Sequence, residues 1–119
     1  MSWDISICRF SKNYNNVEQI QENESAHSLG SRNEVANLIS QIFLGTDWSD
    51  PSWGVFDSSI GSIEFNMGQE QICKGFMLHV RAGAEIVPLI VELCQQNNWQ
   101  GLDCSSGEFI EKASSPEEG

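Results

Sequence analysis

Three short stretches of the chain alternate apolar and polar residues, and each places most of its apolar members on one side. They are Trp3, Ile5 and Ile7 within 3–10, Ile63, Phe65 and Met67 within 61–67, and Phe76, Leu78 and Val80 within 75–81. Successive side chains of a strand point to opposite faces, so the pattern predicts strands with one face in a core and the other in water. A sheet with a single apolar face has to be covered on that face by another layer.

Two segments can supply that layer. Ser31-Arg32-Asn33-Glu34 has the form of a capping box, in which the Ser31 hydroxyl accepts from the Glu34 amide and the Glu34 carboxylate accepts from the Ser31 amide. Val35, Leu38, Ile39, Ile42 and Phe43 then follow helical spacing along one stripe, and Gly45 stands where a left-handed residue would stop the helix. The second segment, 85–96, is almost wholly apolar along Ile86, Val87, Leu89, Ile90, Val91, Leu93 and Cys94. Pro88 is tolerable there only in the first turn, and Asn97-Asn98 ends the helix.

Between the helices, 54–57 and 61–67 are predicted to form a hairpin turning near Ser58 to Gly61, with Glu64 and Asn66 outward. Residues 46–54 read as a structured loop, 68–74 as a polar loop, and 11–30 as a long surface connection. A last strand covers 99–104 and resumes at 108–110 past the Ser105-Ser106-Gly107 turn. The expected fold is α+β: a mainly antiparallel four- to five-stranded sheet with two helices packed on one face, close to a ferredoxin-like plan. One domain is expected over 1–110, with a polar, flexible tail over 111–119.

Charge restricts the function classes. Seventeen Asp and Glu against six Lys and Arg leave a formal net charge of −11, spread along the chain rather than held in a tail. Such a field repels phosphates and anionic lipid and attracts cationic surfaces, so it argues against nucleic-acid or membrane binding and for a basic protein partner or none. The first residues carry an acid where a secretory signal needs a basic region, and the expectation is a cytoplasmic protein. The four cysteines, Cys8, Cys73, Cys94 and Cys104, form no C-x-x-C pair and read as reduced thiols. Asp47, Asp50 and Asp57 lack the glycine and terminal glutamate of a calcium loop, so no metal or cofactor is expected.

Two surfaces stand out. The segment 47–53 combines Asp47 and Asp50 with Trp48 and Trp53, pairing large contact area with carboxylates suited to a basic partner. The same tryptophans can instead fold back and close the end of the core. The second surface follows from register. If Phe65 pairs with Leu78, Glu64 falls opposite His79 and Ser62 opposite Arg81 on the face away from the helices. There a carboxylate beside an imidazole and a guanidinium can hold an anion or move a proton, or form no more than a solvated ion pair. Cys104 as a nucleophile with His79 is a weaker variant of the same idea, since no cysteine-hydrolase signature surrounds it.

The phrases DWSDPSWG (47–54), GSIEFNMG (61–68), FMLHVRAG (76–83) and DCSSGEFI (103–110) resemble a family of small uncharacterised bacterial proteins over nearly the whole chain. The resemblance implies no activity, cofactor or catalytic residue. The leading expectation is therefore a small acidic protein-binding module, not an enzyme, of the kind that inhibits a basic toxin such as a nuclease. Asp47, Trp48, Asp50, Trp53 and Glu64 would make the contacts. The alternatives are a small-ligand-binding protein or enzyme using Glu64, His79 and Arg81, and a homodimeric structural or regulatory module that buries the same face.

Overall fold

The alternating stretches are strands, and the capping box opens a helix. In chain order the elements are β1 (Trp3–Cys8), β2 (Gly30–Ser31), α1 (Arg32–Ile42), β3 (Asp47–Asp50), β4 (Trp53–Ser58), β5 (Gly61–Asn66), β6 (Ile72–Cys73), β7 (Gly75–Ala82), α2 (Val87–Asn97) and β8 (Gln100–Asp103). This computed structural model describes residues 3–10, 14, 18, 20, 26–105 and 107–110. Six strands form one sheet in the order β3-β4-β5-β7-β1-β8 with every neighbouring pair antiparallel, and β2 pairs with β6 in a separate ribbon.

The helix boundaries follow from local chemistry. Ser31 Oγ accepts from the Glu34 amide at 3.2 Å, and the Ser31 amide donates to Glu34 Oε1 at 3.1 Å, so two otherwise unpaired donors of the first turn are satisfied. A short 3-10 turn over Ala84–Ile86 leads into α2, with Pro88 in the first turn, where its missing amide removes no helical bond. Asn98 stops α2 in the left-handed region at φ 58°, and the Trp99 amide returns to Cys94 O at 2.9 Å.

Both helices share one core with the apolar face of the sheet. Val35, Ile39 and Phe43 from the first helical segment meet Ile5, Ile7, Phe56, Ile63, Phe65, Leu78 and Val80 from the strands and Ile86, Ile90 and Leu93 from the second. Phe43 sits at its centre, edge-on to Phe56 at 5.2 Å and to Phe65 at 5.4 Å between ring centroids.

The expected strand count is corrected by the structure, which has six strands in the main sheet rather than four or five. The extra one is β3, inside the segment read as a loop. Its turn-forming residues do make local bonds, since Asp47 Oδ1 accepts from the Ser49 amide and Asp50 Oδ1 from the Ser52 amide. The segment still pairs with β4, because Trp48 ties it to the core: its indole N–H donates to Ser40 Oγ at 2.9 Å and its ring lies 6.1 Å from Phe65. The loop expected over 68–74 likewise contains β6, with Arg32 and Leu29 amides bonded to Gln71 O and Cys73 O beside the ribbon. Of the long connection over 11–30, Tyr14 is buried and exchanges two bonds with the Gln100 amide side chain, at 3.0 and 2.7 Å. Most of 11–25 and all of the expected tail 111–119 lie outside the described residues.

The two sheet edges are handled differently. Past β8, residues 108–110 return alongside it, with Asp103 N–H to Glu108 O at 2.8 Å and Ile110 N–H to Gly101 O at 2.7 Å. At the other edge β3 is four residues long, shifted in register between Asp47 and Asp50, exposed at both aspartates and followed by Pro51. Those features make a poor template for a further strand.

Replacing Ile39, which is fully buried, by alanine is expected to cost about 3 kcal/mol of unfolding free energy through lost burial and a residual cavity. Ser31→Ala should cost about 1 kcal/mol, the usual worth of an N-cap. Urea unfolding followed by circular dichroism checks both, and a larger loss for Ser31→Ala than for Ile39→Ala would contradict this account of the core.

Candidate functional site

The register that fills the core also fixes the opposite face. Phe65 faces Leu78, so Glu64 stands opposite His79 and Ser62 opposite Arg81, in the arrangement predicted from the alternation. The next pairings extend the row, with Val55 opposite Glu64, Asp47 opposite Val55 and Asp4 opposite His79. Asp47, Val55, Glu64, His79 and Asp4 therefore cross five strands in one line on the face away from the helices.

Contacts within this line depart from the simplest expectation. The imidazole does not pair with Glu64; its Nδ1 lies 2.9 Å from Asp4 Oδ1. Glu64 is engaged elsewhere, accepting from Arg81 Nη1 at 2.7 Å and from the Trp53 indole N–H at 3.3 Å. Trp53 reaches across the sheet, and its ring stacks on that of His79 with centroids 5.6 Å apart and planes 21° apart. One interlocked group results, with Asp4 holding the imidazole, the imidazole lying against the indole, and the indole bonded to the carboxylate that pairs with Arg81. The His79 side chain is 25% exposed and that of Asp4 44%.

Asp4 is the member of this group that sequence reasoning missed. Its place between inward Trp3 and Ile5 marks it as outward-facing. What brings it to His79 is the position of β1 beside β7, a long-range pairing that alternation does not encode.

The aromatic-acidic segment divides in two. Trp48 is half-buried against the core, and Gly54 lies directly beneath it: a Cβ on Gly54 would stand 2.6 Å from two carbons of the indole. Trp53 instead joins the open face. Asp47 and Asp50 are exposed, and their carboxyls are held below the ordinary aspartate range, first by hydroxyl bonds from Ser49 and Ser52 and then by the amides of the same serines. The Arg32 charge adds a smaller downward push on Asp50.

Cys104 is exposed and adjoins Asp4, whose carbonyl accepts from the Cys104 amide at 3.1 Å. Its thiol is pushed up by burial and further by the charges of Asp4 and Asp103, which disfavours the thiolate that a nucleophile requires. Further along the open face, Ser6, Asn66 and Met77 border a wide depression of about 420 Å3 that reaches Lys74.

No family model, curated protein or solved structure matches this chain. Among the described residues, no three His, Cys, Asp or Glu side chains come together as a group able to hold a metal ion, and no helix is long and apolar enough to cross a membrane.

The lowered carboxyls give a testable pH dependence. A carboxyl that titrates lower in the folded chain than in the unfolded one stabilises the fold above the unfolded value, about 3.8 for ordinary aspartate, and that contribution is lost as pH falls through the lowered folded value. Carboxyl 13C shifts of Asp47 and Asp50 should therefore titrate below ordinary aspartate. Ser49→Ala and Ser52→Ala should each raise the midpoint of their own partner and leave the other unchanged.

Proposed function

We propose that the protein is a small acidic binding module whose open sheet face receives a basic protein surface. The observation that carries this reading is the sheet face away from the helices, which none of the described helices covers. It sets Asp4 of β1, Asp47 of β3, Asp57 of β4 and Glu64 of β5 around the accessible parts of Trp53 and Val55. Carboxylates in this arrangement steer a cationic partner at long range, and the indole and Val55 offer apolar area once it docks. Within this reading Trp53, Glu64 and Asp47 stay in the partner-binding set, Asp50 acts from the rim, and Trp48 serves as the strut that holds β3 in place. An immunity-type inhibitor of a basic toxin such as a nuclease, acting in the cytoplasm, is the form of the proposal that charge and size favour.

Two further elements belong to the proposal. The strand order β8-β1-β7-β5, with α1 between β1 and β5 and α2 between β7 and β8, supports describing the core as a ferredoxin-like unit extended by β3 and β4. The small-ligand alternative draws on one observation, the Asp4–His79 hydrogen bond, which orients an imidazole on the face. A face-to-face homodimer is the least supported, since it would set Asp4, Asp47 and Asp57 of one copy against the same charges of another.

The test is capture of basic proteins from the native organism at low salt, followed by calorimetry of each purified candidate. The reading expects one partner whose affinity falls with added salt and drops by about tenfold or more in Trp53→Ala or Glu64→Gln, the loss typical of a central contact. A partner whose binding is unaffected by either substitution and by salt would overturn it.

A further inference from the structure

The stack of His79 on Trp53 and the hydrogen bond between His79 and Asp4 both change character with a single proton on the imidazole. We propose that His79 is a proton-operated control on this face: its protonation turns the Trp53 stack into a cation–π contact and the Asp4 hydrogen bond into an ion pair, and thereby weakens the hold of the face on a cationic partner. The consequence for binding rests on the function proposed above; the proton step itself does not.

The geometry places every element of the device. From β1, Asp4 Oδ1 lies 2.9 Å from Nδ1 of the ring. From β4, the Trp53 indole covers one ring face at 5.6 Å. From β5, Glu64 stands directly across the sheet, with its charge shared by Arg81 of β7 at 2.7 Å. Cys104, beyond β8, adjoins Asp4 through the backbone. The helices lie on the other side of the sheet. The ring thus has a carboxylate at one edge and a π-face against it, both of which accept a positive charge, and it remains open enough to exchange protons with solvent.

Histidine is the side chain that changes charge between about pH 5 and 8. When it does so here, a positive charge appears in the middle of the acidic line, next to Asp4 and one strand from Glu64. A lysine or arginine of a partner then meets a face with one negative charge offset and with the indole already engaged by a cation. Acidification loosens the complex, and return to neutral pH restores it.

The first experiment needs no partner. Tryptophan fluorescence, together with the Trp53 indole N–H resonance, is followed from about pH 8 to pH 5. Wild type and His27→Gln, which keeps His79 as the sole histidine, should show a one-proton step. His79→Gln and Trp53→Phe should lack it, with far-UV circular dichroism confirming that each variant is folded. A step that survives His79→Gln, or no step in the wild type, overturns the proposal.

The second experiment uses polylysine as the cationic probe at both ends of that range. The wild type should lose roughly two- to fivefold more affinity on acidification than His79→Gln, the range that one half-exposed charge pair is worth. Equal losses in the two proteins would overturn the coupling to binding. Polylysine that fails to bind at either pH would overturn the binding reading and the coupling with it, while the fluorescence step still decides whether His79 and Trp53 form a proton-sensitive pair.

Discussion

One register holds the molecule together. Phe65 faces Leu78, and Leu78 faces Ile5, so three adjacent strands present fully buried apolar side chains to the helices in a single line. Because strand side chains repeat every two residues, a slip of one position would turn this line into water and bring Glu64, His79 and Asp4 into the core. Burying that ion-pairing group without its solvent would cost far more than the register saves. The two ends of the line carry residues that are not apolar, Gly54 and Asp103. Both are accounted for by tryptophans. The Trp48 indole occupies the space that a side chain on Gly54 would need, and the Trp3 indole N–H donates to Asp103 Oδ1 at 2.8 Å. Asp103 also accepts from the Ser105 amide and hydroxyl, so its buried carboxylate keeps strong partners.

The open face inherits its order from the same register. Among the described residues no helix packs on it, and the geometry of Asp4, Trp53, Glu64, His79 and Arg81 comes from strand positions and from contacts among the five. Each side chain has at least one partner on a neighbouring strand, as Asp4 has on β7 and Glu64 on both β4 and β7. Cross-strand pairs of this kind are individually weak. Linked through an aromatic stack, they restrict one another, which is how a solvent-facing surface can hold a defined arrangement without being buried.

Much of this was legible in the sequence, for a physical reason. Alternation and helical spacing are imprinted by one-sided burial; in α1, β5 and β7 the predicted inward faces and the placing of Glu64 opposite His79 agree with the structure. Strand β3 was not legible, because only Trp48 among its residues is turned inward and the others carry the chemistry of a turn. A four-residue edge strand held by one indole leaves almost no periodic trace. Asp4 was hidden differently. Its outward direction was readable, but its neighbour depended on β1 inserting between β7 and β8, and sequence patterns report which face a residue takes rather than which strand lies beside it. The two tryptophans of 47–53 could not be told apart for the same reason: five residues apart they look alike in sequence, yet one falls toward α1 and the other lies across β5.

An uncovered sheet face that carries an indole and a valine is an association hazard, and acidic charge is one of the few devices that limits it without closing the face. Identical copies meet with like charges opposed, so the face is protected against itself, and the short, charged β3 edge extends the same protection to strand pairing. Protection of this sort is selective by sign. The same field that opposes like-charged copies draws a cationic surface in under the proposed function, so both effects come from the same residues. Within the proposed function, this is why His79 matters more than its single charge suggests. It is the one histidine in the line, and each proton it takes up subtracts from both effects at once.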